Sequence, residues 1–68
     1  MSRPGRVVAV DGGRAEVEVG GRRTLCNALM TPEARPGDWV LTHTGLVVAV
    51  VTEAEAAEVA ALLDQVRA

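Results

Sequence analysis

Two glycine pairs divide the first half of the chain into short segments, and their spacing constrains the fold more than any other feature. Gly12-Gly13 follows the β-branched run Val7–Val10, and Gly20-Gly21 follows the segment 15–19, in which apolar and acidic residues alternate. Alternation with period two is typical of a strand that has one face in the core and one in water. Glycine pairs supply the positive φ angles that tight hairpin turns require. The pattern therefore predicts consecutive antiparallel hairpins.

The second glycine pair also predicts a register. If Gly20 and Gly21 form a two-residue loop, Glu18 faces Arg23 across the ladder and Cys26 lies opposite Ala15 on the inward face. A bulge at Gly20 would reverse this orientation and turn Cys26 outward.

The second half of the sequence predicts a loop and two further strands. The third strand extends from Arg22 to about Leu29, and the loop 31–38 holds Pro and Gly residues that interrupt regular structure. Two apolar strands, 39–44 and 46–51, follow with only Gly45 between them. One glycine is too short for an ordinary hairpin, so it is interpreted as a bulge or sharp bend that re-aims a neighbouring side chain.

A helix is predicted over about residues 53–67. Thr52 is followed by Glu55 at the spacing of a capping box, in which each side chain accepts an unpaired backbone N–H. Four apolar residues share one predicted helical face: Val59, Leu62, Leu63 and Val66. The acidic residues elsewhere on the helix form either a solvated surface or a docking surface.

Together these segments predict an all-β fold in one domain, residues 1–68, with strands over about 6–51 and the helix over about 53–67. The expected architecture is a small OB-like five-stranded antiparallel barrel with a C-terminal α-helix. An SH3-like topology is the alternative, because strand order cannot be derived from the pattern. A chain of 68 residues buries only about 60% of the surface that its unfolded form exposes, so every strand must contribute to one core.

Composition disfavours several classes of function. The net charge is −2, the charges alternate in sign, and Trp39 is the only aromatic ring for base stacking, which disfavours nucleic-acid binding. The longest uncharged stretch, 39–52, is too short and polar to span a bilayer. A single cysteine favours a reducing compartment, and the run Val7–Val10 is too short for the core of a signal peptide. We therefore expect a cytoplasmic protein.

His43 is the first candidate for chemistry because it is the only histidine and lies in the strand-like segment 36–50, just before Gly45. Imidazole binds borderline metals and exchanges protons near neutral pH. The alternative is a surface histidine with one hydrogen bond. One histidine cannot hold a metal tightly, so a second ligand must come from this chain, a partner or the cargo.

Cys26 and the N-terminal segment are the other candidates. The Cys26 thiolate would suit iron or zinc, although an inward cysteine usually serves as a small apolar core residue. No Cys-x-x-Cys or His-x-x-x-His spacing supports an autonomous zinc site. A single histidine with scattered carboxylates does not predict an enzyme. Residues Ser2–Gly5 are either a frayed tail that leads into the first strand or a segment that contacts a partner.

The order of these motifs resembles the HypC/HupF-type family of [NiFe]-hydrogenase maturation chaperones over nearly the whole chain. The most recognisable segment is an apolar strand that ends in His-x-Gly, with His43 as its histidine. The other matching features are Pro4-Gly5 before the strand Val7–Val10, Asp11-Gly12, Gly20-Gly21, and the helix that begins Thr-Glu-Ala-Glu-Ala.

The resemblance implies an OB-like barrel and a chaperone without catalytic turnover. It would dock to a scaffold maturation protein of the HypD type and to the hydrogenase large-subunit precursor during assembly of the Fe(CN)2CO centre. In that family iron is held transiently between a cysteine directly after the initiator Met and the strand histidine, which corresponds here to His43. The segment nearest the partner corresponds to Ser2, Arg3, Pro4 and Gly5.

The chain departs from the family pattern at Ser2, which stands in place of that cysteine in a shorter leader. A neutral hydroxyl is a poor replacement for thiolate on soft iron. Three explanations remain open: a paralogue that docks without carrying iron, an altered N-terminus, or a sulfur role taken over by Cys26. A different class of function is a small β-barrel protein-interaction module that has kept the fold and lost iron carrying.

Overall fold

The computed structural model describes the backbone of residues 2–67 and the side chains of residues 2–65. It consists of five strands and one C-terminal helix, which confirms the predicted fold class. In chain order the elements are β1 (Arg3–Asp11), β2 (Arg14–Val19), β3 (Arg22–Asn27), β4 (Trp39–His43), β5 (Leu46–Val51) and α1 (Glu53–Arg67).

The strands form a closed barrel in the order β1-β2-β3-β5-β4, with β4 returning to β1. Four of the five neighbouring pairs are antiparallel. The fifth pair, β3 with β5, is parallel and consists of the single pairing Asn27–Leu46. A five-stranded barrel with little pairing at one seam is typical of the OB-like fold.

The hairpin at Gly20-Gly21 has the predicted register. Both glycines have positive φ, 57° and 79°, as a two-residue loop of this kind requires. Cys26 pairs with Ala15, and both side chains are buried. The inward orientation of Cys26 is therefore confirmed, and no bulge occurs at Gly20.

Arg23 lies directly opposite Glu18, as predicted, but its ion pair is diagonal. The guanidinium Nη1 lies 3.4 Å from Oε1 of Glu16, one position over on the same face. Both side chains are largely exposed, so this pair contributes less than about 1 kcal/mol. The register is set by the turn and by the buried face rather than by this charge contact.

The N-terminal segment is part of the barrel rather than a frayed tail. β1 begins at Arg3 instead of about residue 6, because Arg3 to Arg6 pair with β4. Pro4 is tolerated near the first residue of a strand, where a missing N–H costs little. Gly5 is buried against β2, where only a residue without a side chain fits.

The core is built from small residues, and the loop between β3 and β4 helps to fill it. Thr31, in that loop, is 2% exposed, and its hydroxyl donates to the carbonyl of Val47 in β5 at 2.9 Å. The loop is irregular, as predicted, and it closes over the barrel interior. The apolar core residues are Val7, Ala15, Val17, Cys26, Ala28, Ala34, Val40 and Val47.

The capping box at the start of α1 is confirmed. The backbone N–H of Thr52 donates to Oε1 of Glu55 at 2.9 Å, and the N–H of Glu55 donates to the Thr52 hydroxyl at 3.1 Å. These two bonds satisfy donors that a helix N-terminus otherwise leaves unpaired. The sequence therefore fixes where this helix begins.

α1 packs against β1 and β4 through a narrower face than predicted. Ala56 is buried, and Val59 and Leu63 are half-buried. The prediction for Leu62 was wrong: it is 61% exposed, because it lies about 100° around the helix from Leu63. Because Ala56 is small, the helix approaches the sheet closely at this residue. The buried face of the helix is therefore the one that carries Ala56, Val59 and Leu63. The side chain of Val66 lies outside the described residues.

A Glu55→Gln substitution tests the cap through its pH dependence. Hydrogen bonds from the Thr52 backbone and side chain lower the pKa of Glu55 below its ordinary value of 4.5. A lowered folded-state pKa means that the stabilisation is present above the ordinary pKa and is lost as pH falls through the folded value. Urea unfolding should show Glu55→Gln less stable than the wild type at pH 7. The two proteins should converge in stability well below pH 4.5. A constant difference down to pH 3 would contradict this account.

Candidate functional site

His43 is the last residue of β4 and stands beside a tight turn. It pairs with Leu46 of β5, so Thr44 and Gly45 alone connect the two strands. The prediction of a bend at Gly45 alone was therefore wrong. Thr44 joins the turn with φ of 48°, and Gly45 has φ of 78°. A two-residue turn of type I′ has positive φ at both positions, and here a threonine adopts it although β-branched residues rarely do.

An irregularity does lie next to His43, but on its N-terminal side. The β4–β5 register shifts between Leu41 and Thr42. Thr42 faces the interior, 8% exposed, and its hydroxyl donates to the carbonyl of Arg3 at 3.2 Å. His43, the next residue, points to the outside and is exposed. Within the described residues, no side-chain hydrogen bond or ion pair involves it.

The turn that follows His43 is anchored to the neighbouring strand. The N–H of Asn27, at the end of β3, donates to the carbonyl of Gly45 at 2.8 Å. This bond adjoins the one parallel pairing that closes the barrel. The turn next to His43 is therefore fixed to β3 by a backbone hydrogen bond and is not a free loop.

A Thr44→Asn substitution should stabilise the protein by about 1 kcal/mol, because asparagine tolerates the left-handed conformation that threonine resists. Urea unfolding monitored by circular dichroism measures the change. Thr24→Asn is the matched control, since Thr24 lies in β3 with ordinary strand geometry and should gain nothing. A loss of stability in Thr44→Asn would show that the threonine side chain makes a compensating contact.

The register of β1 against β4 directs Ser2 toward His43, although the two are far apart in sequence and Ser2 precedes the first residue of β1. β1 pairs with β4 as Arg3–Thr42 and Pro4–Leu41. Extending this register by one residue places Ser2 opposite His43. Side chains at opposed positions share one face, with Cβ atoms about 4.5–5.5 Å apart. Ser2 is half-buried and His43 exposed. We call this pair the Ser2–His43 edge. Sequence reasoning missed this adjacency because it depends on strand order.

The other N-terminal candidates differ in what they can contact. Arg3 is exposed and Pro4 is half-buried, whereas Gly5 is enclosed between β1 and β2. A partner at this end of the barrel can therefore contact Ser2 and Arg3, while Gly5 acts through packing.

Cys26 and His43 lie on opposite faces of the barrel wall. Cys26 is 3% exposed, and its Sγ lies 3.9 Å from the carbonyl of Thr24. Burial raises the pKa of the Cys26 thiol, so the thiolate that binds metals is disfavoured. In the part of the chain that the structure describes, no three Cys, His, Asp or Glu side chains are grouped to hold a metal ion. Residues 2–67 also include no helix long and apolar enough to cross a membrane.

Comparison with known proteins places this barrel in a family. A sequence model described as the HupF/HypC family matches residues 1–63, which include both sides of the Ser2–His43 edge. The chain belongs to the HupF/HypC family. It is similar to the hydrogenase maturation factor HypC of Escherichia coli (strain K12) and to that of Shigella flexneri, with 37% identity over 59 residues in each case. The alignment covers 78% of this chain and 66% of each relative, just under two thirds of their length. The resemblance drawn from the sequence motifs is confirmed.

The potential metal ligands of this HupF/HypC chain suit a metal that is bound only transiently. His43 offers one accessible imidazole, and Ser2 offers a neutral hydroxyl beside it. A hydroxyl is a weak ligand for soft iron, and the one thiol of the chain is enclosed in the core. An iron centre in contact with His43 would need its remaining ligands from its own bound groups or from a partner protein.

Proposed function

We propose that this HupF/HypC protein is an accessory protein of hydrogenase maturation that docks through the Ser2–His43 edge. Its partners are an iron–sulfur scaffold protein of the HypD type and the hydrogenase large-subunit precursor. The observation that carries the proposal is an exposed imidazole with no side-chain partner among the described residues, on a barrel of this family. The β1–β4 register, extended by one residue, sets it opposite position 2. The name of the similar proteins, hydrogenase maturation factor, supports the same process.

In this proposal the cargo is the Fe(CN)2CO unit, and His43 supplies one nitrogen ligand to it. Cyanide and carbonyl groups occupy other positions of the iron, and the partner provides the sulfur that Ser2 cannot. The partner would then hold the iron centre, and His43 would add one ligand to it. This contact between His43 and iron would last only as long as the complex.

The alternative is a protein-interaction module that keeps the fold and the docking edge without touching iron. Ser2 favours it, because a neutral hydroxyl offers little to a soft metal. Both versions use the same surface, so they differ in what the captured complex contains rather than in whether a complex forms.

Anaerobic co-purification tests the docking role. The full chain should capture a scaffold protein of the HypD type and a hydrogenase large-subunit precursor expressed with it. His43→Ala should weaken capture, whereas Arg35→Gln, an exposed change in the β3–β4 loop, should not. Failure of the wild type to capture either protein would exclude docking. Infrared spectra of the complex separate the two versions: cyanide and carbonyl bands support iron contact, and their absence leaves the docking module.

A Ser2→Cys substitution should strengthen iron retention in the captured complex. It places a thiol opposite His43 on the same face, so that two soft or borderline ligands meet. The cyanide and carbonyl band intensities, normalised to protein, should increase over both the wild type and Ser2→Ala. Equal intensities in all three proteins would show that position 2 does not reach the iron.

A further inference from the structure

The barrel is closed by the least pairing between β3 and the β4–β5 turn. β3 pairs with β5 only at Asn27–Leu46, so the segment 22–26 of β3 does not pair with β5. A pocket of about 280 Å³ lies along this side. We call it the seam pocket; the polar residues that line it are Arg3, Arg22, Thr24, Cys26, Thr42 and Thr44.

The seam pocket is rich in donors for an anion. Two arginines and three threonines line it, and none of its lining residues in the described part of the chain is a carboxylate. The Thr42 hydroxyl already donates to the Arg3 carbonyl, so the donors left for an anion are the guanidinium groups and the hydroxyls of Thr24 and Thr44. The Cys26 thiol adds no negative charge, because its burial favours the neutral form. The pocket is therefore positive within a chain whose net charge is −2.

Its two arginines have no charge partner in the part of the chain that the structure describes. The one ion pair there joins Arg23 to Glu16 on the outer face of the sheet. Arg3 and Arg22 are exposed and reach the pocket from β1 and β3. The Thr42 hydroxyl, which donates to the Arg3 carbonyl, holds the backbone of Arg3 at the pocket wall.

From these contacts we propose that the seam pocket binds a carboxylate group carried by a protein partner. A guanidinium presents its N–H donors in a planar fork that matches a carboxylate, and two such groups facing one space favour that ligand over a neutral one. The hydroxyls of Thr24 and Thr44 lie close enough to the same space to add hydrogen bonds.

A carboxylate on a protein fits better than a free anion because the pocket is open and lies beside the proposed docking edge. Arg3 follows Ser2 directly, and Thr42 and Thr44 flank His43. Neighbouring residues of a strand point to opposite faces, so the pocket lies on the other side of the same strand ends. A protein that covers the Ser2–His43 edge and extends past these strand ends therefore also reaches the seam pocket. The choice of a protein-borne ligand rests on the proposed docking role, whereas anion binding by the pocket does not.

The test is an NMR titration of the isotopically labelled full chain. The probes are a capped peptide Ala-Ala-Glu-Ala-Ala, the same peptide with Gln in place of Glu, and inorganic phosphate. The reporters are the backbone amides of Thr24, Thr42 and Thr44. The test variant is a double substitution, Arg3→Gln combined with Arg22→Gln. The control variant is Arg35→Gln, which lies in the exposed β3–β4 loop.

The Glu peptide should shift the three amides in a saturable manner, and the Gln peptide should not. The double variant should lose affinity by about tenfold or more, and Arg35→Gln should match the wild type. Absence of saturable shifts, equal shifts with both peptides, or unchanged affinity in the double variant would overturn the proposal. Tighter binding of phosphate than of the Glu peptide would also overturn it, because the pocket would then be a free-anion site. No hydrogenase protein is present, so failure here is distinguishable from failure of docking.

Discussion

Replacing Gly5 with valine should leave the barrel unfolded at room temperature, and Gly5→Ala should cost about 3 kcal/mol or more. A Cβ at this position would lie 2.5 Å from Cγ1 of Val17, 2.7 Å from Cγ2 of Val19 and 3.0 Å from the carbonyl oxygen of Glu18. Val17 is fully buried and the carbonyl belongs to the paired strand, so neither can move aside without disturbing the core. A chain of this size has only about 3–10 kcal/mol of stability to lose.

Urea and thermal unfolding followed by circular dichroism measure this effect. Gly21→Ala is the control, because its added methyl meets nothing within 4 Å while its φ of 79° remains unfavourable. It should lose only about 1–2 kcal/mol from backbone strain. If Gly5→Ala proved as stable as the wild type, the close approach of β1 to β2 would be wrong.

His43→Ala should abolish maturation of the client hydrogenase without changing the fold. The side chain is exposed and makes no hydrogen bond within the described residues, so stability should change by less than about 0.5 kcal/mol. Among the described residues of the Ser2–His43 edge, the imidazole is the only accessible borderline ligand, so its loss removes the proposed contact with iron. Hydrogenase activity in a strain that lacks its own copy of this protein measures the outcome.

Two comparisons make that result interpretable. Asp11→Asn removes a charge at the far end of β1 and should restore activity as well as the wild type does. Unfolding curves of His43→Ala and the wild type should overlay. Full activity in His43→Ala would reduce this histidine to an ordinary surface residue and contradict its proposed role at the docking edge.

Features set by neighbouring residues could be predicted from the sequence. The Gly20-Gly21 turn fixes the β2–β3 register because a two-residue loop leaves one way to pair the strands. The Thr52–Glu55 capping box is a contact within one helical turn, so its spacing alone identifies it. The inward position of Cys26 follows from that register by simple alternation.

Features that depend on residues far apart in the sequence could not be predicted from it. The β4–β5 turn includes Thr44, which no propensity places at positive φ; the bond from Asn27 to Gly45 and the barrel closure hold it there. The adjacency of Ser2 and His43 depends on β1 pairing with β4, and strand order leaves no local pattern. The seam pocket likewise exists only because β3 and β5 meet at one residue pair.

Crosslinking from position 2 tests the docking edge most directly. A photoreactive side chain replaces Ser2, just before β1, in one protein and Asp11, at the end of β1, in another; the two positions are roughly 30 Å apart at about 3.3 Å per residue. Each is irradiated in the anaerobic complex with the scaffold protein of the HypD type. The account predicts efficient crosslinks from position 2 and none above background from position 11. Crosslinks from position 11 alone would contradict it, because the partner would then cover the other end of the barrel.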